Sequence, residues 1–222
     1  MPTGGLRTWW RRDGQTGGVI NSHFVFLAAA LSLLGAAGYI RDTLRGVTAP
    51  HRVTWGLWGV EGVLAFVVEV QQHVGLVSLM TLMFGVVPLL VFAASFANGS
   101  SAWAITTFDV VCGAISLLGI AFWLLVNEPT VALVAFVVAD QVAGLPTLRK
   151  SWTEPSSESW LVFLSGVANT ALTLLAVRHV TTAAVLFPAV IFVNDLVLVL
   201  VLVLRVGPRW RHVRSLRGAS VA

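Results

Sequence analysis

The stretch Leu145–Trp160, LPTLRKSWTEPSSESW, resembles the earlier stretch Ile40–Trp55, IRDTLRGVTAPHRVTW. Aligned without gaps, the two stretches share similar or identical residues at these pairs of positions: Arg45 and Lys150, Thr48 and Thr153, Pro50 and Pro155, Thr54 and Ser159, Trp55 and Trp160. Each stretch ends an apolar segment, passes through a basic turn and begins the next segment at a tryptophan. We interpret them as equivalent turns of an internal repeat.

The composition is typical of a membrane protein. Hydrophobic residues make up 57% of the 222 residues and charged residues only 11%, with a mean hydropathy of +0.86. Soluble domains carry about 25% charged residues because their surface faces water. The net charge of +4 comes from basic residues in loops and tails. We therefore expect the lipid bilayer and its anionic head groups, not nucleic acid, as the partner of these residues.

The apolar residues fall into seven segments long enough to cross a bilayer as helices. The predicted fold is all-α, a polytopic protein with seven transmembrane helices at 23–40, 53–70, 74–96, 102–125, 131–148, 159–177 and 181–204. The segments are separated by polar turns such as Gln71-Gln72-His73, Asn127-Glu128-Pro129 and Arg178-His179. These turns contain residues that stop or start helices.

The distribution of Lys and Arg predicts the orientation. Of the fourteen such residues, four lie on the N-terminal side of the segments and ten on the opposite side. We expect a multi-pass protein of the cell membrane with its N-terminus outside and its C-terminus in the cytoplasm. Five of the ten lie after Val203, so half of the positive charge on that side comes from the C-terminal tail.

The repeat divides the chain into three helices, one linker helix and three further helices. We assign 1–22 to an extracytoplasmic polar tail, 23–97 and 129–204 to two three-helix repeats, 98–128 to the linker and 205–222 to a basic cytoplasmic tail. A single linker helix returns the chain to the same side, so the two repeats have parallel orientations. Parallel repeats are a known transporter plan with the solute site near the midplane. The plan leaves open whether the chain forms a homo-oligomer.

The turn of the second repeat resembles the motif of the SWEET and PQ-loop superfamily. Pro146-Thr147, Arg149-Lys150 and Ser159-Trp160 are similar to the family's Pro-Gln pair, basic residue and Ser-rich turn, whereas Arg41-Asp42 departs from it in the first repeat. The resemblance implies a transporter of a small polar solute that alternates access between two three-helix bundles. The alternative is a non-transporting membrane protein of the same fold, such as a receptor or assembly partner.

Four acidic residues lie inside the apolar segments: Glu61, Asp109, Asp140 and Asp195. An ionisable group in hydrocarbon costs about 2.5–3.5 kcal/mol, so each requires a reason. The acids either line a hydrated cavity that binds a solute, a cation or a proton, or form structural hydrogen bonds. We favour the structural interpretation for Asp109 and the functional one for Asp195, and leave the other two open.

The sixth segment carries Ser165, Asn169 and Thr173 at a spacing of four residues, which places them on one face of a helix. This polar stripe either lines a cavity or allows close helix packing. In the family that the chain resembles, an asparagine on the last helix faces the substrate, and Asn194 is the matching residue. The candidate solute-binding residues are therefore Asn169, Asn194, Asp195, Glu61, Asp140 and Thr173.

Three prolines inside apolar segments are candidate hinges: Pro88, Pro146 and Pro188. Each lacks the backbone N–H of a helical hydrogen bond, which favours a kink. Pro88 and Pro188 lie in the third helix of each predicted repeat. Their bends either move during transport or are fixed.

We interpret Trp55, Trp58 and Trp160 as anchors at the cytoplasmic membrane interface, with stacking against a ligand as the alternative. The five histidines, scattered at helix ends and in loops, are interpreted as solvated residues: His23, His51, His73, His179 and His212. The single lysine, Lys150, is expected in a cytoplasmic loop and Cys112 in the protein interior.

No sequence pattern predicts an enzyme. HExxH, GxSxG and clustered Cys or His residues are absent from the sequence. We therefore expect neither catalysis, nor a metal site, nor a bound cofactor.

Overall fold

The computed structural model describes residues 23–71, 78–97, 103–126, 128–177, 182–210 and 212. All regular elements in these residues are helical. The helices are α1 (Phe24–Leu44), α2 (Arg52–Gln71), α3 (Ser78–Ala94), α4 (Thr107–Leu125), α5 (Pro129–Thr153), α6 (Trp160–Ala176) and α7 (Thr182–Leu204), with a 3₁₀ turn at Pro155–Ser157. The prediction of a helical chain is thus confirmed for the described residues. The predicted tail 1–22 and the turns at 72–73 and 178–179 lie outside them, as does most of the tail 205–222.

Four helices are long and apolar enough to cross a membrane: α1, α4, α5 and α7. The helices α3 and α6 are apolar but shorter, with 17 residues each. The outer face of α4 exposes large apolar side chains, including Leu118 at 70% and Leu125 at 80%. Contiguous apolar surface of this kind is costly in water and favourable in lipid. The chain is therefore a helical membrane protein.

The helices α4 and α5 begin at residues whose side chains cap the first turn of the helix. Thr106 and Asp109 form a capping box at the start of α4, with 2.7 Å between the Thr106 nitrogen and Asp109 Oδ2. Glu128 accepts from the Thr130 and Val131 N–H groups, and Pro129 occupies the first turn of α5. These bonds satisfy N–H groups that a helix start leaves free.

The helix α5 extends beyond the predicted segment 131–148, to Thr153. This extension places Lys150 inside the helix, so its assignment to a loop was wrong. The helix α3 ends at Ala94, two residues before the end of the predicted segment 74–96, whose first four residues lie outside the described ones.

The helices pack in a regular pattern. Within 24–94, α3 packs against both α1 and α2; within 129–204, α7 packs against both α5 and α6. Between these groups, α1 contacts α6 and α2 contacts α5. The remaining helix, α4, packs on α5 and α2. Each contact of the first group therefore has a counterpart in the second.

The crossing of α2 and α3 depends on two glycines. A Cβ atom added to Gly62 would lie 2.3 Å from the Gly85 nitrogen, and one added to Gly85 would lie 2.6 Å from the Val63 nitrogen. The two backbones thus touch directly, as in other membrane helix pairs packed through small residues.

An aromatic core fills the centre of the bundle. Trp55 packs against Tyr39, Trp58 and Phe163, with ring centroids 5.0, 5.7 and 6.0 Å away. Trp55 is 2% exposed and Trp58 9% exposed, whereas Trp160 is 42% exposed. The interpretation of Trp55 and Trp58 as interface anchors was therefore wrong.

Candidate functional site

A cavity of about 70 Å³ lies among the helices. A buried water needs roughly 10–15 Å³ of such space, so the cavity has room for about five waters or a small solute. Its lining comes from α1, α2, α3, α5, α6 and α7, and α4 contributes none of the lining residues.

Four of the six candidate solute-binding residues line this cavity: Asn169, Asn194, Asp195 and Asp140. Asn169 comes from α6, Asp140 from α5, and the adjacent residues Asn194 and Asp195 from α7. Asn169 is fully buried, and Asp140 and Asp195 are 4% and 8% exposed. The structure therefore brings these residues together, while their role in binding a solute stays a prediction.

The other two candidates are not among the lining residues. Glu61 is fully buried in α2, where its Oε1 accepts a hydrogen bond of 3.0 Å from Ser116 on α4. Thr173 donates to the Asn169 carbonyl oxygen at 2.8 Å and lies 2.9 Å from the Met80 sulfur. The contacts of Thr173 hold α6 against α3 beside the cavity.

Asp195 is held close to the backbone of α6. A Cβ atom added to Gly166 would lie 2.0 Å from Asp195 Oδ2. Only glycine leaves space for the carboxyl group at this position, so α6 and α7 approach through Gly166. The polar stripe predicted on α6 thus combines cavity lining with close helix packing.

Three polar atoms of lining residues are buried without a hydrogen-bond partner among the described residues: Ser32 Oγ, Asn169 Oδ1 and Trp55 Nε1. The other end of the Asn169 amide lies 3.4 Å from the Met80 carbonyl oxygen, which orients it. Buried polar groups are nearly always hydrogen-bonded to protein, water or ligand. The unpartnered atoms therefore indicate a place where water or a solute binds.

Aromatic rings form much of the remaining lining. Trp55, Trp58 and Phe163 line one part of the cavity, and Phe84 and Phe187 line another. For Trp55 and Trp58, ligand stacking was the alternative to an anchor role, and the three phenylalanines were assigned to no site. Trp55 and Trp58, three residues apart, share one face of α2, and this spacing was the available signal.

The hinge candidates have different surroundings. Pro88 in α3 is buried and lines the cavity. Pro146 in α5 and Pro188 in α7 lie inside their helices and are not among the lining residues. Whether any of the three acts as a hinge stays a prediction.

A second buried polar cluster lies at one end of the bundle. We call this end the basic end; it is formed by the loop 45–51, the start of α4 and the segment 150–158. Lys150 Nζ lies 2.6 Å from Glu158 Oε1 and donates to the Ala49 carbonyl oxygen, while the Tyr39 hydroxyl donates to Glu158. The Ala49 N–H also donates to the Ser157 carbonyl oxygen at 2.9 Å. These bonds join the two stretches that the sequence aligned.

His51 belongs to the same end and is 1% exposed, so its interpretation as a solvated residue was wrong. Its Nε2 lies 3.2 Å from Asp109 Oδ2. Burial lowers the pKa of His51, and the Lys150 charge acts in the same direction, while Asp109 and Glu158 oppose them. Asp109 thus has structural partners in the capping box and in His51.

No group of three or more His, Cys, Asp or Glu side chains within the described ranges is arranged to hold a metal ion. Cys112, which we expected in the interior, is buried at 4% exposure.

Comparison with known proteins adds no relative: no protein-family model, curated protein or solved structure matches the chain.

Proposed function

We propose that the chain is a transporter of a small polar solute, built from two parallel three-helix bundles joined by α4. The bundles are α1–α3 and α5–α7, and their matched packing supports this plan. Each bundle places its third helix between the other two. The two larger contacts between bundles, α1 with α6 and α2 with α5, exchange under a two-fold relation, and α3 also touches α6. The linker α4 lies outside this relation.

The cavity is the observation that carries the proposal. It is lined by the six helices of the two bundles and not by α4, as expected for a solute site between repeats. Its carboxyl and amide groups would be costly in a membrane interior unless they serve such a site.

The family that we propose is the SWEET and PQ-loop superfamily, on the basis of the motif around Pro146-Thr147 and this bundle plan. The protein lies in the cell membrane with the basic end at the cytoplasm, in agreement with the excess of Lys and Arg there. Movement of the bundles breaks the contacts between Lys150, Glu158 and the loop 45–51 and opens the cavity on that side. The carboxyl groups of Glu61 and Asp140 are candidates for coupling this movement to a proton.

The test is uptake of radiolabelled solutes into liposomes that contain the purified protein. A panel of amines, amino acids, sugars and polyols covers the chemistry of the cavity. Asn169→Ala and Asn194→Ala each remove one amide, which reduces flux by roughly two- to tenfold because one hydrogen bond contributes about 0.5–1.5 kcal/mol. Leu118→Ala is the control, because Leu118 faces outward on α4 and lines no cavity.

Flux of one solute class that falls in the two asparagine variants but not in Leu118→Ala supports transport. Absence of flux for the whole panel, with protein that elutes as a single folded species, favours the receptor or assembly partner instead.

A further inference from the structure

The cavity offers hydrogen-bond acceptors without a basic partner. Asp140 and Asp195 supply carboxyl groups, Asn169 presents its unpartnered Oδ1, and no Lys, Arg or His is among the lining residues. A carboxylate in such surroundings needs a positive counter-charge. Because Asn169 is fully buried and its oxygen has no donor among the described residues, a ligand with N–H groups fits this position.

The aromatic rings that line the cavity also favour a positively charged ligand. Trp55, Trp58 and Phe163 form one aromatic group, and Phe84 and Phe187 meet edge to face at 6.4 Å between centroids. The faces of aromatic rings attract cations, Trp most strongly, and the attraction increases where water is excluded. A cation between these rings therefore gains from both the carboxyl groups and the π systems.

Asp140 has a second carboxyl group beside it. The Glu61 carboxyl on α2 interacts electrostatically with that of Asp140 on α5, and Glu61 Oε2 has no donor among the described residues. Asp140 already accepts a hydrogen bond of 2.9 Å from Gln141 Nε2, so Asp195, which lines the cavity beside Gly166, is the carboxylate that we assign to the ligand.

We propose that the cavity binds a small protonated amine, whose N–H groups donate to the Asp195 carboxylate and to Asn169 Oδ1 and whose carbon atoms lie against the rings. This inference rests on the proposed function only in taking the cavity as the solute site. Amino acids are disfavoured because no lining residue carries a positive charge to pair with their carboxylate. Neutral sugars and alcohols leave the carboxylate without a counter-charge, and the volume of about 70 Å³ limits the ligand to a few heavy atoms.

The test is equilibrium binding to purified protein in nanodiscs of zwitterionic lipid, measured by titration calorimetry. The probes are ethylammonium chloride, its neutral counterpart ethanol, and glycine, which adds a carboxylate. The wild-type protein is expected to bind ethylammonium at least about tenfold more tightly than either of the others, as expected for a charge-assisted hydrogen bond.

Two variants locate the site. Asp195→Asn is expected to weaken ethylammonium binding by about tenfold or more, and Asn169→Leu, which changes no charge, also weakens it. Asp42→Asn is the matched control, because it removes the same charge from the ion pair with Arg41 outside the cavity. The affinity of Asp42→Asn for ethylammonium is expected to equal that of the wild type.

The inference is wrong if folded wild-type protein binds ethanol or glycine as tightly as ethylammonium, or binds none of the three. It is also wrong if Asp195→Asn and Asn169→Leu both bind ethylammonium like the wild type. Ethylammonium binding without flux of any solute overturns the transport function and leaves this inference standing. Flux of a neutral solute without amine binding supports the transport function and overturns this inference.

Discussion

Lys150 and Glu158 form an ion pair that is almost fully removed from solvent, at 1% and 0% side-chain exposure. Removing one member of a buried pair leaves a charge without compensation, which costs about 3–5 kcal/mol. The pair is therefore expected to matter more for stability than exposed pairs such as Arg41 and Asp42.

We predict that Glu158→Gln lowers the free energy of unfolding by about 3–5 kcal/mol. The double variant Lys150→Met with Glu158→Gln is expected to lose less than the sum of the two single variants, because it leaves no unpaired charge. Unfolding by sodium dodecyl sulfate in mixed micelles measures both. Arg41→Gln, at the exposed pair, changes stability by about 0–1 kcal/mol. Strict additivity of the two single changes would contradict the prediction.

His51 makes stability depend on pH. Its pKa is lowered in the folded protein, so the unfolded chain takes up a proton first as the pH falls. Its contribution is thus unaffected above about pH 6.5, the ordinary pKa of histidine, and stability is lost as the pH falls below that value.

We predict that His51→Asn flattens the loss of stability below about pH 6.5. The groups that face His51 are Asp109, Lys150 and Glu158, and they remain in the variant. Unfolding midpoints of the wild type and the variant, measured across this pH range, give the comparison. An unchanged slope in His51→Asn would show that another group is responsible.

At the scale of the helix, small residues decide how closely two helices approach. Gly62 faces the backbone of α3, which cannot move as a flexible side chain would. Gly38 in α1 has no atom within 4 Å of the position where a Cβ would be placed. The two glycines therefore form a matched pair for one substitution.

We predict that Gly62→Ala destabilises the protein by about 1–3 kcal/mol, because the added methyl group forces α2 and α3 apart. Gly38→Ala is expected to be neutral or to stabilise by up to about 1 kcal/mol, since alanine has the higher helix propensity. Unfolding in mixed micelles checks both. Equal effects of the two substitutions would be evidence against the backbone contact.

At the scale of the whole molecule, the proposed orientation places the two ends of the bundle in different compartments. Val47 lies in the loop 45–51 at 62% exposure, and Thr130 is exposed at the start of α5, at the opposite end. The buried Cys112 can be replaced by alanine to give a background without cysteine.

We predict that a membrane-impermeant maleimide labels Thr130→Cys in intact cells but labels Val47→Cys only after the cells are permeabilised. The reason is that the basic end faces the cytoplasm in the proposed orientation. Gel-shift quantification of labelled protein provides the measurement. Labelling of Val47→Cys alone in intact cells would indicate the opposite orientation. Labelling of both variants in intact cells would place the two positions on the same side and contradict the proposed seven crossings.

The sequence determined the helices and the membrane environment. Hydrocarbon forces each crossing segment to satisfy its own backbone hydrogen bonds, so a helix follows from local hydropathy without knowledge of its neighbours. The acids in apolar segments were visible for the same reason, because every charge in such a segment needs an explanation. Asp140, Asp195 and Asn169 could thus be selected before their cavity was known.

The tertiary structure decided which side each helix turns inward. In a soluble helix the polar face marks the solvent side, but in a membrane helix the lipid-facing and core-facing sides are both apolar. Trp55 and Trp58 could therefore be read as interface anchors although they pack inward. The burial of His51 against Asp109, the hydrogen bond of Tyr39 to Glu158 and that of Ser116 to Glu61 join parts of the chain that are far apart in sequence, and no local pattern encodes their mutual packing.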